Sequence, residues 1–94
     1  MNKLEKLRNK IDDLDAELLE ILAQRMSVVK EVGEYKKKHG TPPLQPGRKQ
    51  QVMDLWSNNA KELGMSEEFA LNFFEVIHDY ALELENIESL KRNK

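Results

Sequence analysis

The stretch LRNKIDDLDAELLEILAQRMSVVKEVGEYKKKHG, residues 7–40, decides the fold because its apolar residues recur at the spacing of one helix face. No proline interrupts the pattern, and the first glycine within it is Gly33. The spacing predicts one helix from about Leu4 to His39, with Gly40 as its stop. The apolar seam comprises Leu4, Leu7, Ile11, Leu14, Leu18, Ile21, Val28, Val32 and Tyr35.

The length of this helix predicts a partner chain. At ~1.5 Å per residue it measures roughly 54 Å, whereas a compact monomer of this size has a radius of gyration of about 12 Å. The rest of the chain is too short to cover such a rod, so we expect an all-α, intertwined homodimer with three helices per chain. Arg25 fills the seam slot between Ile21 and Val28, and a cation there is costly unless an anion meets it.

Two shorter helices follow in what we expect to be a single domain, residues 1–94. All three prolines lie in the connector 41–47, which predicts a stiff loop. The second helix is predicted from about Gly47 or Arg48 to Leu63, and the third from a cap at Ser66 nearly to the C-terminus. Their predicted inner residues are Val52, Met53, Leu55, Trp56 and Ala60 in the second helix, and Phe69, Phe73, Val76, Ile77, Tyr80, Leu84 and Ile87 in the third.

Composition argues against several classes of function. The net charge is -2, which provides no basic field for nucleic acid. The chain has no cysteine, which excludes a disulfide scaffold, a thiol nucleophile and a cysteine metal site, and fits the reducing cytoplasm where we expect the protein. The polar N-terminus is unlike a signal peptide, and no apolar run approaches the ~20 residues of a membrane span.

Four basic residues predict an anion site. Arg25 and Lys36 are eleven residues apart, so they share a helix face about 16 Å apart. Arg48 starts the second helix, where a cation opposes the helix dipole. Arg8 lies ~42 Å from Lys36 along the helix and reaches this site only from an antiparallel partner. Four cations around an apolar-walled pocket indicate a small polyanion, most simply a dicarboxylate.

Taken singly, these residues also have structural explanations. Arg8 could pair with Asp12, Lys36 could belong to a solvated helix end, and Arg25 could serve a structural ion pair. The chain lacks a serine-histidine-acid set, a histidine pair at metal spacing and a phosphate-binding glycine loop. We interpret His78 as a packed or surface residue. A cationic site without a nucleophile suits a reaction in which the protein only holds one substrate conformation and neutralises a developing charge.

The pattern LRxxIDxLDxxLLxxLxxR followed by VxxYK, residues 7–36, closely resembles the first helix of the all-helical (AroQ-type) chorismate mutases. The resemblance implies an intertwined homodimer that performs the Claisen rearrangement of chorismate to prephenate without a cofactor. By position, Arg25 and the other subunit's Arg8 would bind substrate carboxylates. Lys36 would hydrogen bond the ether oxygen of the breaking bond, and Arg48 would line the carboxylate side.

Four positions depart from the familiar bacterial pattern. Gln45 and Lys49 stand where many members have an aspartate and a glutamate near the substrate's C4 hydroxyl, and Ala81 replaces a serine that helps bind the substrate. Glu85 stands where many members have a glutamine that contacts the ether oxygen. A carboxylate there would repel the developing charge, so Glu85 must be protonated to donate a hydrogen bond, unless it is a solvated helix residue.

These departures leave three alternatives open. The run 45–48 together with Glu85 is similar to 4-amino-4-deoxychorismate mutases, although Lys49 argues against an ammonium substituent if its side chain points inward. The pairs Arg25-Met26 and Val29-Lys30 are similar to those of isochorismate-pyruvate lyases. A non-catalytic helical dimer is the third alternative, and it predicts no convergence of the cations.

Overall fold

The computed structural model describes residues 2–41 and 46–92, with side-chain surroundings for 2–41 and 47–86. It contains α1 (Lys3–Lys38), α2 (Pro46–Glu62) and α3 (Glu67–Arg92). This confirms an all-α chain with one very long helix. Among these residues, no helix has the length and continuous apolarity that crossing a bilayer requires.

Both ends of α1 are closed by local hydrogen bonds. The Asn2 side chain accepts a hydrogen bond from the Glu5 backbone N–H at 2.9 Å. At the other end Gly40 has a φ of 68°, and the backbone N–H of Thr41 donates to the Lys36 carbonyl at 2.7 Å. This is the Schellman arrangement that a glycine in the left-handed region permits. It fixes the last turn of α1, which carries Lys36.

The boundaries of the other helices agree with their sequence signals. Gly64, with a φ of 70°, follows α2. Ser66 caps α3, since its Oγ accepts a hydrogen bond from the Phe69 backbone N–H at 3.1 Å. Both the glycine stop and the serine cap are therefore confirmed.

The central element is α3, which packs against α1 on one side and α2 on the other. Two helices share it, so its buried face is wider than the predicted stripe and includes Phe74, which is only 1% exposed. Phe69, Val76 and Tyr80, predicted as inner residues, are exposed within the single chain. Leu55 of α2 was also predicted as an inner residue and is 51% exposed. The core cluster consists of Met26, Ile77, Ala81 and Leu84, with Leu22, Val29, Trp56 and Phe73 against it.

The close approach of α1 to α3 occurs at Gly33. A Cβ atom added to this buried glycine would lie 3.1 Å from the Glu85 Cα. Real Cβ atoms are rarely that close to a neighbouring backbone. Glycine at this position therefore lets the two helix backbones come together one turn before Lys36.

The predicted seam of α1 lies on the surface of the single chain. Its residues are between 40% and 62% exposed, because the α1 side chains that pack on α3 are instead Leu22, Met26 and Val29. The radius of gyration is 17.0 Å and the extents are 56 × 28 × 15 Å. A compact chain of this length would have a radius of about 12 Å, so the long helix extends well beyond the chain's own core.

Candidate active site

A cavity of about 180 Å³ lies between the three helices. It brings together six of the predicted site residues: Arg25, Lys36, Arg48, Lys49, Ala81 and Glu85. The rest of its lining consists of Val29, Val32, Val52, Phe74, His78 and Leu82. The cavity therefore has apolar walls and contains three of the four cations predicted for the anion site, Arg25, Lys36 and Arg48.

Arg25 brings a partly buried guanidinium into this site. Its Nη1 atom is buried and has no hydrogen-bond partner among the described residues. Burial lowers the pKa of Arg25 from its ordinary value, and the positive charge of Arg48 lowers it further. Both effects oppose the guanidinium charge, and an anion between the two arginines would relieve them.

Lys36 and Glu85 form an ion pair across the close contact of α1 and α3. The Lys36 Nζ lies 2.9 Å from the Glu85 Oε1, and the two side chains are 19% and 9% exposed. The Oε1 atom is buried, and its contact with Nζ lacks the angles of a hydrogen bond. The alternative that Glu85 is a solvated helix residue is therefore wrong. A buried carboxylate instead faces the lysine that the resemblance assigns to the ether oxygen.

The two cations of α2 that line the cavity have partners within the chain. The Arg48 Nη1 donates to the Gln51 Oε1 at 2.7 Å, which holds the guanidinium beside the cavity. The Lys49 Nζ lies 3.2 Å from the Glu75 Oε2 of α3. Glu75 compensates the charge of Lys49, so this lysine is a weaker argument against a cationic substituent on a ligand than its sequence position suggests.

Of the two remaining predicted site residues, the structure describes Arg8. Arg8 is exposed on α1 and does not line the cavity of its own chain, as its distance along the helix predicts. Gln45 lies outside the described residues. Ala81 lines the cavity as a buried methyl group without hydrogen-bonding capacity.

His78 belongs to the cavity lining, which sequence reasoning missed. It was interpreted as a packed or surface residue because no partner for it was evident. The available signal was its spacing, since His78 lies three residues before Ala81 and seven before Glu85 on one helix face. The described residues hold no group of three or more side chains arranged to bind a metal ion.

Comparison with known sequences decides the family. Residues 7–86 match the chorismate mutase type II family. The chain belongs to this family. The matched segment of this type II chorismate mutase domain begins just before Arg8 and ends just after Glu85, so it contains every residue of the candidate site.

Individual relatives agree with the family match. The 4-amino-4-deoxychorismate mutase of Streptomyces venezuelae is 37% identical over 76 residues, which cover 81% of this chain and 74% of that protein. The chorismate mutase of Methanocaldococcus jannaschii is 31% identical over 97 aligned positions, which cover 100% of this chain and 98% of that protein. The T-protein of Haemophilus influenzae is 36% identical over 66 residues, 70% of this chain but 18% of that protein.

Proposed function

We propose that this single-domain protein catalyses the rearrangement of chorismate to prephenate in the cytoplasm, as an intertwined homodimer. The observation that carries the proposal is the convergence of Arg25, Lys36 and Arg48 on one apolar-walled cavity. Chorismate carries two carboxylates and an ether oxygen, and these groups match the cations. A non-catalytic dimer predicts no such convergence and is therefore disfavoured.

The reaction requires a cavity that holds one substrate conformer and charged groups that stabilise the transition state. The ether C–O bond breaks while a C–C bond forms within the same molecule, so neither a nucleophile nor a co-reactant is needed. The apolar walls around Val32, Val52 and Phe74 favour the compact substrate conformer that brings the reacting carbons together. Lys36 and Glu85 then stabilise the negative charge that grows on the ether oxygen in the transition state.

Protonation of Glu85 on substrate binding fits this mechanism. An ionised Glu85 compensates Lys36 in the free protein and would repel the ether oxygen. A protonated Glu85 donates a hydrogen bond and also leaves the Lys36 charge for the substrate. Both effects favour catalysis, so the neutral carboxyl group is the active form.

A pH profile tests this assignment of Glu85. We expect kcat to fall as pH rises and Glu85 loses its proton in the substrate complex, because a hydrogen-bond donor is then replaced by a charge that repels the ether oxygen. Glu85→Gln keeps a donor at every pH and should flatten the profile. Glu83→Gln, an exposed neighbour on α3, serves as the control. Identical profiles for Glu85→Gln and the unmodified protein would remove Glu85 from the mechanism.

The close contact at Gly33 gives a second test of the role proposed for Lys36 and Glu85 in the cavity. In Gly33→Ala, better helix propensity contributes up to about 1 kcal/mol of stability, and the contact with the Glu85 Cα costs about 1–3 kcal/mol. We expect a small change in the unfolding midpoint but about a tenfold loss of kcat/KM, because the two side chains are displaced from the substrate. An added Cβ at Gly47 meets nothing within 4 Å, so Gly47→Ala is the matched control. Equal activity of the two variants would contradict this role for Gly33.

Two observations support a second copy of the chain as the cover of the α1 seam. The seam is exposed along its whole length. Two largely apolar grooves, of about 570 and 510 Å³, adjoin α1 and include Leu18 and Leu19 in their linings. An antiparallel second α1 would bury these surfaces. It would also bring the partner's Arg8 toward the cavity. The chain's own Arg8 is too far away, because it lies about 25 Å from Arg25 along α1.

A specific observation favours a second candidate, 4-amino-4-deoxychorismate as substrate. Glu75 compensates the charge of Lys49, so an ammonium group near Lys49 meets less repulsion. A relative named 4-amino-4-deoxychorismate mutase covers most of the chain. The same cavity cations serve both substrates, which differ at one substituent.

A substrate panel decides between these candidates. Chorismate, 4-amino-4-deoxychorismate and isochorismate are incubated separately with the protein, and products are identified by mass spectrometry. We expect prephenate from chorismate. Turnover of the amino compound alone would establish the second candidate, and release of pyruvate from isochorismate would indicate a lyase. Absence of turnover with all three would overturn the enzymatic proposal.

A further inference from the structure

Three buried side-chain atoms in the described part of the chain lack a hydrogen-bond partner. They are the Arg25 Nη1, the Glu85 Oε1 and the His78 Nε2. All three residues line the same cavity. The Glu85 Oε1 has the Lys36 Nζ as its ion-pair partner. Burying a polar atom without a partner is unfavourable, so the two nitrogen atoms mark positions where a missing group would complete the structure. The mechanism above uses Arg25 and Glu85 but not His78.

The surroundings of His78 fix its ring. The imidazole stacks on Phe74 with ring centroids 5.3 Å apart and an interplanar angle of 25°. Phe74 is almost completely buried, which makes it a rigid support for the imidazole. Packing of this kind holds a side chain in one orientation, as recognition of a small ligand requires.

His78 lies away from the Lys36–Glu85 end of the cavity. It precedes Glu85 by about two helical turns, roughly 10 Å along α3. Glu75, which binds Lys49, is about one turn earlier on the same helix. His78 is therefore on the side of the cavity where α2 contributes Lys49, and the resemblance places the substrate's 4-substituent near Lys49.

The other polar lining residues already have roles. Arg25 and Arg48 match the carboxylates, and Lys36 and Glu85 match the ether oxygen. Lys49 is bound by Glu75. Among the cavity residues that the structure describes, none of these assignments covers the 4-substituent of the substrate, a hydroxyl or an amine. A histidine nitrogen suits either group, because an imidazole nitrogen donates or accepts according to its tautomer.

We propose that His78 is a further substrate-binding residue whose Nε2 forms a hydrogen bond with the 4-substituent of the substrate ring. This inference rests on the proposed function and assigns a specificity role at the same site. It accounts for the buried, partnerless Nε2 beside the cavity.

The test combines variants with a modified substrate. In His78→Leu, kcat/KM for chorismate is expected to fall about tenfold, the cost of a lost hydrogen bond in a buried site. His78→Gln places its amide nitrogen near the position of Nε2 and should retain most activity, whereas the shorter His78→Asn should behave like His78→Leu. His39→Leu is the control, since His39 is exposed and outside the cavity.

A chorismate analogue without the 4-hydroxyl isolates the proposed contact. The unmodified protein should lose about tenfold in kcat/KM on this analogue, and His78→Leu should lose nothing further, because both changes remove the same hydrogen bond. Equal penalties for His78→Leu on both substrates, or full activity of that variant, would assign His78 to packing or to an internal water and overturn the inference. If only the amino substrate is turned over, the same cycle is run with it.

The failure of this inference is distinguishable from failure of the proposed function. Should the unmodified protein turn over no chorismate-type substrate, the function itself is refuted, and the inference falls with it. Should the unmodified protein be active while His78→Gln and His78→Asn are equally active, only the role of His78 is refuted. Circular dichroism of each variant verifies that the helices are retained.

Discussion

Arg25→Ala is expected to lower kcat/KM by about 10²–10³-fold, the range for loss of a buried electrostatic donor in an active site. The Arg25 Nη1 has no partner within the described chain, and burial and Arg48 both oppose its charge. A substrate carboxylate that meets Arg25 is therefore bound strongly, because it compensates a charge that burial and Arg48 both oppose.

The measurement is steady-state kinetics on chorismate, with two further variants. Arg25→Lys keeps the charge but loses the forked pair of donors, so we expect an intermediate loss. Lys38→Ala, an exposed cation at the end of the same helix, should change kcat/KM by no more than about twofold. Near-normal kcat/KM in Arg25→Ala would contradict the proposed site.

Arg8→Ala is expected to be as inactive as Arg25→Ala, although Arg8 is exposed and outside its own chain's cavity. In the proposed dimer, each site combines Arg25 of one chain with Arg8 of the other. A hybrid of the two variants then holds one site with both arginines and one site with neither. Mixing equal amounts should restore about a quarter of the normal activity, since half the dimers are hybrids with one intact site of two.

The mixing experiment distinguishes a site shared between two chains from variants that are inactive for another reason. Each variant is assayed alone, then both are mixed, left to exchange subunits and assayed again. Recovery shows that the two arginines act in one site from different chains. Mass spectrometry verifies that the subunits have exchanged. If activity is not recovered after verified exchange, the shared site is refuted. Full activity of Arg8→Ala alone would also refute it.

Much of the fold was predictable because its signals are local. The spacing of the seam, the glycine stops at Gly40 and Gly64 and the serine cap at Ser66 each act within a few residues of the chain. The exposed Leu55 and the deeply buried Phe74 were not predicted. Which residues of α3 are buried depends on how both α1 and α2 pack against it. The spacing of apolar residues along α3 does not predict that arrangement.

The candidate site was predictable in its charges but not in its contacts. Arg25 and Lys36 are on one helix, so their common face follows from spacing alone. The Lys36–Glu85 pair and the Lys49–Glu75 pair join different helices, and their formation depends on how closely those helices approach. Gly33 controls one such approach, and its importance emerges only when the backbone opposite it is known.

In the proposed dimer, the exposed N-terminal half of α1 would couple folding of each chain to its association with the other. Every residue from Asn2 to Ile21 is exposed, so this segment has no core of its own to stabilise it. In proteins most helical stability comes from tertiary packing of an apolar face. The order of this segment should then depend on protein concentration, and the thermal midpoint should rise as the solution becomes more concentrated. Dilution alone would lower specific activity, because each chain would retain its pocket but lose the neighbour that completes it.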